Sequence, residues 1–239
     1  MAEVTDRDSI DNRQQYNSAM ASTYYAEFQT LFPKERIAFQ YIQEGSFILD
    51  LGCGAGRTTE YFHKMGHRVI GVDYAHAMTR SAMVKNPAIR FCTADACNLG
   101  FRDTLFDVVV FSFNGIDCIH PYEQRLQALR EIKRVVKPGG MFVFSSHNNA
   151  IPRDWDGILP FLKTIFKKKR DSVLHDFSYP WGGIKLYLTT PDLQVEELAK
   201  IGFEGISVIP RKSLSDVKSL KLLGWLDDWC YYICTRPME

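Results

Sequence analysis

What this 239-residue chain lacks narrows its class first. No apolar run comes near the ~20 residues needed to span a bilayer. The polar opening Met1-Ala2-Glu3-Val4-Thr5-Asp6-Arg7-Asp8 has none of the apolar centre of a secretory signal. A soluble, cytoplasmic protein with no membrane partner is expected. Net charge is nearly absent too: 29 basic residues face 28 acidic ones, a formal +1. No overall field therefore favours nucleic acid, and an RNA acceptor would have to be met by a local patch. The only basic run, Lys167-Lys168-Lys169-Arg170, reads either as a solvated helix face or as a patch for phosphate, an anionic sugar or RNA. The six cysteines, Cys53, Cys92, Cys97, Cys118, Cys230 and Cys234, show no CxxC pair and no Cys/His metal spacing, which points to reduced, mostly buried thiols. Linker-like, repeated and low-complexity stretches are also missing, so residues 1–239 read as a single domain with a modest insertion.

What is present centres on Ile48-Leu49-Asp50-Leu51-Gly52-Cys53-Gly54-Ala55-Gly56-Arg57. A short apolar run ends in three alternate glycines and passes at once into helical sequence, the layout of a parallel strand, a tight turn and a helix N-terminus. Glycine takes positive φ and lets backbone N–H groups approach a ligand that a side chain would fend off. Asp50 precedes the first glycine, where a buried carboxylate is costly unless it meets a ligand amine or backbone N–H groups. The next apolar run, Val69-Ile70-Gly71-Val72, ends in Asp73, about twenty residues on, where an acidic side chain can hold two ribose hydroxyls. A dinucleotide fingerprint G-x-G-x-x-G starting at Gly52 needs glycine at position 57, and Arg57 stands there instead.

With these features the chain resembles the class I, S-adenosylmethionine (SAM)-dependent methyltransferases. Asp50 to Gly56 is similar to their first motif and Val72-Asp73 to their acidic ribose clamp. Thr93-Ala94-Asp95-Ala96, Phe106-Asp107-Val108-Val109-Val110 and Leu129-Arg130-Glu131-Ile132-Lys133-Arg134-Val135-Val136-Lys137-Pro138-Gly139-Gly140 resemble the later motifs, in the family's order. The likeness runs from about Tyr16 to Asn148. It implies an α/β fold: a Rossmann-like, doubly wound sheet of seven strands, mostly parallel with a C-terminal antiparallel strand, and helices on both faces. It also implies SAM as cofactor and S-adenosylhomocysteine as product.

The remaining elements are assigned around that core. Tyr16, Met20, Tyr24, Phe28 and Leu31 recur at helical spacing, so one helix is expected from about Ser9 until Pro33 interrupts it. By resemblance residues 1–44 form a helical lid, with Tyr16 and Tyr24 closing the site. Strands are expected near Ile48–Leu51, Arg68–Val72, Ile89–Thr93, Phe106–Phe113 and Met141–Ser146. Helices are expected over Arg57–Met65, from Ala75 towards Pro87, and over Pro121–Val136. After a helix from Asp192 to Ile201, two strands near Phe203–Ile209 and Trp229–Thr235 end the sheet. Residues 150–190, dense in aromatics and proline (Trp155, Phe177, Tyr179, Trp181), read as an insertion covering an acceptor pocket.

Several residues are candidates for contact with the cofactor. Gly52, Cys53 and Gly54 form the turn; Tyr74 and Met78 can meet an adenine ring or belong to the core. By resemblance the Asp95 carboxylate accepts from the adenine amino group and the Ala96 N–H meets a ring nitrogen. Ser112, Phe113 and Asn114, at the end of the fourth strand, border the methionine part and the acceptor. The D/N-P-P-Y/F motif of enzymes that methylate base amines or glutamine amides is missing, since Gly115 follows Asn114.

Methyl transfer is an in-line displacement in which alignment supplies much of the acceleration, and a base is needed chiefly where the acceptor is a hydroxyl. His120 and His147 are the base candidates, or else histidines bonded to structure, with Asp117 a third choice. Asp117 alone makes no metal site. The expected activity is methyl transfer to a small or medium-sized acceptor through O, N or C. The alternatives are a SAM-binding protein without chemistry and an NAD-dependent oxidoreductase, the latter disfavoured by Asp50 and Arg57. Oligomeric state is left open.

Overall fold

The computed structural model of the protein describes residues 12–149, 172–210 and 229–238. Trp155 and the basic run Lys167–Arg170 lie outside the described residues. Three short helices come first, α1 (Asn12–Tyr16), α2 (Ala19–Ala26) and α3 (Pro33–Phe39). The alternating core follows: β1 (Phe47–Leu51), α4 (Arg57–Lys64), β2 (Arg68–Asp73), α5 (His76–Lys85), β3 (Arg90–Thr93), β4 (Phe106–Phe111), a 3-10 turn (Gly115–Cys118), α6 (Tyr122–Val135) and β5 (Val136–His147). A hairpin, β6 (Val173–Tyr179) and β7 (Gly182–Leu188), precedes α7 (Pro191–Ile201), β8 (Glu204–Pro210) and β9 (Trp229–Thr235).

Seven strands form one sheet in the order β3-β2-β1-β4-β5-β9-β8, with β9 antiparallel to both its neighbours and the other six pointing one way. The order reverses between β1 and β4, which places a ligand crevice at the carboxyl ends of those strands. Burial on both faces explains the continuous apolar runs. In β4, Val109 and Phe111 face the layer containing Leu129 and Ile132 of α6, while Val108 and Val110 face the layer containing Phe39 of α3 and Phe62 of α4. Strand periodicity of two thus divides each run between two cores.

Three features depart from the sequence expectation. The first helix is broken in two, because the Ser18 hydroxyl caps α2 by accepting from the Ala21 N–H at 3.1 Å. Met20 is consequently 61 % exposed, and Ala21 takes the buried position. Strand β5 starts at Val136 rather than Met141: Val136 pairs with Phe106, and the register shifts before Val108 pairs with Met141. The Arg236 guanidinium permits this abrupt passage from helix to strand by donating to the carbonyls of Lys133, Arg134 and Val136, groups that a helix end otherwise leaves open. Finally, the expected cover contains the β6–β7 hairpin, whose Ile184, Leu186 and Leu188 alternate inward.

Among the described residues no helix is long and apolar enough to cross a membrane. No group of three or more His, Cys, Asp or Glu suited to a metal ion occurs among them either.

Phe144 sits between the rings of Phe142 and Tyr232, at centroid distances of 4.6 and 4.9 Å, and is fully buried. Phe144→Ala should lower unfolding free energy by about 3–5 kcal/mol in urea titrations. A loss below about 1 kcal/mol would contradict this packing.

Candidate active site

A cavity of about 310 Å³ opens at the carboxyl ends of β1 to β4. The turn after β1 forms part of its wall: Gly52 and Gly54 adopt φ of +64° and +54°. A Cβ on Gly52 would lie 2.4 Å from the Phe111 ring, whereas the Cβ position of Gly54 meets nothing within 4 Å. The backbone at Gly54 therefore offers a cradle that a side chain would fill. Cys53 completes the turn, its N–H donating to the Val72 carbonyl at 2.9 Å. Asp73, at the end of β2, accepts from the N–H groups of Gly54 and Ala75, both at 2.9 Å. Burial pushes its carboxyl up to about 6, against the lowering effect of those N–H groups.

Asp73, Tyr74 and Met78 line the cavity, as do Asp95, Ala96 and His120 at one end and Ser112 and Phe113 at the strand-four side. The Asp95 carboxylate accepts from the Cys97 N–H at 2.8 Å. Asp50 does not line the cavity. Its Oδ2 accepts from the Thr58 and Thr59 hydroxyls at 2.7 and 2.5 Å, tying β1 to the first turn of α4, while Oδ1 has no hydrogen-bond partner among the described residues. Burial raises this carboxyl as well, to about 6.

The N-terminal helices cover the cavity with Asn12, Arg13, Tyr16, Tyr25 and Phe28. Tyr16 shares a hydrogen bond with Cys118 Sγ at 3.4 Å and packs against Trp181 at 5.0 Å. Tyr24 does not reach the cavity; its ring meets Tyr25, Phe28 and Trp181, and Tyr25 supplies the lining ring instead. The break before α2 accounts for the shift from Tyr24 to Tyr25. Asn12 fastens the cover: its Nδ2 donates to the carbonyls of Cys118 (3.1 Å) and Lys185 (2.7 Å), and its Oδ1 accepts from the Lys185 N–H (2.8 Å).

Arg57, where a dinucleotide fingerprint has glycine, forms a bidentate ion pair with the buried Glu35 of α3. Glu35 also accepts from the Ser112 hydroxyl at 2.5 Å, and the Arg57 guanidinium lies 5.7 Å from the Phe113 ring. This linkage was not legible from the motif, because its two members lie on different helices, 22 residues apart.

The two histidines fall at different ends. His120 lines the cavity beside Gln124, whose carbonyl accepts from the Cys97 thiol at 3.3 Å, next to Asp95 and Ala96. His147 and Asn114 lie outside the lining, one step beyond Phe113. His147 Nδ1 and its backbone N–H both bond to Asp117 Oδ2 at 2.8 Å, and its Nε2 lies 3.3 Å from Asn114 Nδ2. Asp117 is wholly buried, accepts from the Ser146 hydroxyl at 2.6 Å, and faces the Arg125 guanidinium at 3.6 Å. Arg125 pairs in turn with Glu197 at 3.1 Å.

A family model described as "Methyltransferase domain" matches residues 49–144. The fold is similar to that of solved methyltransferases: a SAM-dependent methyltransferase from Methanosarcina mazei superposes with a TM-score of 0.63, at 21 % identity, over 87 % of this chain and 99 % of that one. The PH0226 protein of Pyrococcus horikoshii OT3 superposes with a TM-score of 0.61 at 25 % identity, over 93 % of each chain. In sequence, the chain is 32 % identical over 114 residues to a demethylmenaquinone methyltransferase of Paenarthrobacter aurescens, covering 48 % of this chain and 44 % of the relative. It is 31 % identical over 126 residues to a human probable tRNA methyltransferase 9B, covering 50 % of this chain and 26 % of that relative. The matched region thus spans less than half the length of these curated relatives.

Asp50 binds its proton more tightly in the folded protein than at the unfolded value of 3.8. From there to about pH 6 the native state holds the extra proton, so this group's contribution falls as pH rises. The difference in unfolding free energy between wild type and Asp50→Asn should therefore decline across that window and be flat above it. Urea titrations at a series of pH values measure this, and a difference that rises with pH would refute it.

Proposed function

We propose that the protein is a SAM-dependent methyltransferase acting on a small or medium-sized acceptor. The observation that carries this reading is the pairing of the open Gly54 cradle with the Asp73 carboxylate in the wall of one cavity. The residues present fit the cofactor. Asp73 accepts from two ribose hydroxyls, while Tyr74 and Met78 offer an aromatic face and a soft thioether to a flat base. Asp95 and Ala96 meet the adenine edge, and the Gly52–Gly54 turn with Ser112 and Phe113 borders the methionine portion; Asn114 stands one step outside it. Bound there, the cofactor supplies an electrophilic methyl group with a neutral thioether as leaving group.

The chain's own contribution is placement and exclusion of water. Residues 12–44 act as the lid over the cavity, with Tyr16 and Tyr25 as its inner surface and Asn12 as its latch to β7. Tyr24 supports those rings from behind. The β6–β7 hairpin contributes to the acceptor cover, with Trp181 joining it to the lid. His120 belongs to the adenine end, which removes it from the transferred methyl. The formal charge of +1 supplies no field that would draw in RNA, which supports a small-molecule acceptor.

The test is calorimetric titration of ligand-free protein with SAM, S-adenosylhomocysteine and NAD. The two adenosyl ligands should bind, and Asp73→Ala should weaken them by about 10- to 100-fold, the loss of hydrogen bonds to a charged group. Because ribose hydroxyls favour the ionised carboxylate, wild-type affinity should rise from pH 5 to pH 7 around the Asp73 value of about 6, and Asp73→Asn should lose that dependence. Binding of NAD alone would overturn the proposal.

A further inference from the structure

The end of β5 holds a built arrangement that cofactor binding does not use. Asp117 is a carboxylate buried in the 3-10 turn, and it accepts from the His147 ring at Nδ1. A carboxylate only accepts, so Nδ1 carries a proton, and in the neutral ring Nε2 then keeps its lone pair. The His147 side chain remains 24 % accessible, whereas Asp117 is closed off and held by Ser146 and Arg125. This is the layout of a base with an orienting acid behind it.

Asn114 faces that lone pair. Its Nδ2 stands 3.3 Å from Nε2, a long contact, and its buried Oδ1 has no hydrogen-bond partner among the described residues. Both Phe113 and Asn114 adopt positive φ, +55° and +59°, a conformation that side chains other than glycine's rarely take. The Asn114 N–H, donating to Ser145 Oγ at 2.8 Å, helps to hold it. A strained backbone therefore presents one donor, Asn114 Nδ2, and one acceptor, His147 Nε2, side by side.

We infer that His147 is the general base for a hydroxyl acceptor, positioned by Asp117, and that the enzyme forms O-methyl products; this rests on the SAM-dependent reading above. The choice of hydroxyl follows from counting lone pairs and from the weakness of a thiol sulfur as an acceptor for Asn114 Nδ2. A hydroxyl donates its proton to Nε2, accepts from Asn114 Nδ2 with one lone pair, and keeps a second for attack. A neutral amine has a single lone pair, which Asn114 would occupy. A carboxylate has no proton to give. In the reaction the O–H proton passes to Nε2, an oxygen electron pair forms the bond to the methyl carbon, and the carbon–sulfur pair stays on sulfur. The proton then returns to solvent.

Two measurements test this. The ¹⁵N spectrum of the His147 ring, recorded on the protein without cofactor, should show the Nδ1–H tautomer, and Asp117→Asn should shift the population towards Nε2–H. A wild-type Nε2–H tautomer overturns the inference. Next, the SAM-loaded protein carrying a labelled methyl group is offered phenols, aliphatic alcohols, aromatic amines and thiols. Methylation should appear on oxygen, and His147→Gln and Asp117→Asn should lower kcat about 100-fold or more. Both variants should keep SAM affinity within about twofold, which also reports that they fold. Methyl transfer to nitrogen or sulfur that His147→Gln leaves unchanged, or no hydroxyl methylated although SAM binds, overturns the base assignment. Failure of wild type to bind SAM instead sinks the cofactor reading, while the tautomer result stands apart from it.

Discussion

The Asp73 carboxylate bridging the N–H groups of Gly54 and Ala75 is the contact on which the site's architecture depends. Parallel strands offer each other no tight turns, so the loop after β1 and the loop after β2 would otherwise be positioned only by the sheet beneath them. One buried acid joins both. It fixes the distance between the glycine cradle and the start of α5, and with it the positions of Tyr74 and Met78. That the carboxyl rises to about 6 shows the cost of taking a charge out of water; two N–H donors offset only part of it. Further donors on a ligand would therefore find the acid under-solvated and receptive.

A second set of bonds performs the same service for the other half of the crevice. Glu35 of α3 joins Arg57 at the start of α4 to Ser112 beyond β4. The N-terminal helices are thereby anchored on both sides of the point where strand order reverses. Asn12 adds a third tie, to the 3-10 turn and to β7. Cover, cradle and strand-four loop are thus linked by side chains that are each buried and each bonded to more than one element.

The sheet was legible because its signals are local. An apolar run ending in glycine or aspartate states a strand and its end together, as in β1 and β2, whereas the early start of β5 at Val136 left no such mark. The seven-stranded order came through the resemblance, since pairing between distant strands leaves no local mark. The lid was read less well. Tyr16 to Leu31 has good helical spacing, but Ser18 competes by capping, and the register of what faces inward slips by one residue, to Tyr25. The hairpin was visible in the alternation of Ile184, Leu186 and Leu188 but was masked by the density of aromatics around it. Pairings such as His147 with Asp117 or Arg57 with Glu35 span tens of residues, and no pattern in one sequence expresses them.

The two histidines show why position along the chain is a weaker guide than position at a strand end. Both follow strands of the parallel core, and both had equal standing as bases by residue type. The doubly wound topology separates them. His120 enters α6 and lies across from the loop after β3, where the Cys97 thiol meets Gln124. His147 closes β5, adjacent in the sheet to β4, and so stands beside Asn114. Neighbouring carboxyl ends of β4 and β5 bring a donor and an acceptor together without any loop having to span the distance, and a buried acid behind one of them fixes which nitrogen faces out. The strain at Phe113 and Asn114 is borne at the junction between the cavity and this second pair of groups.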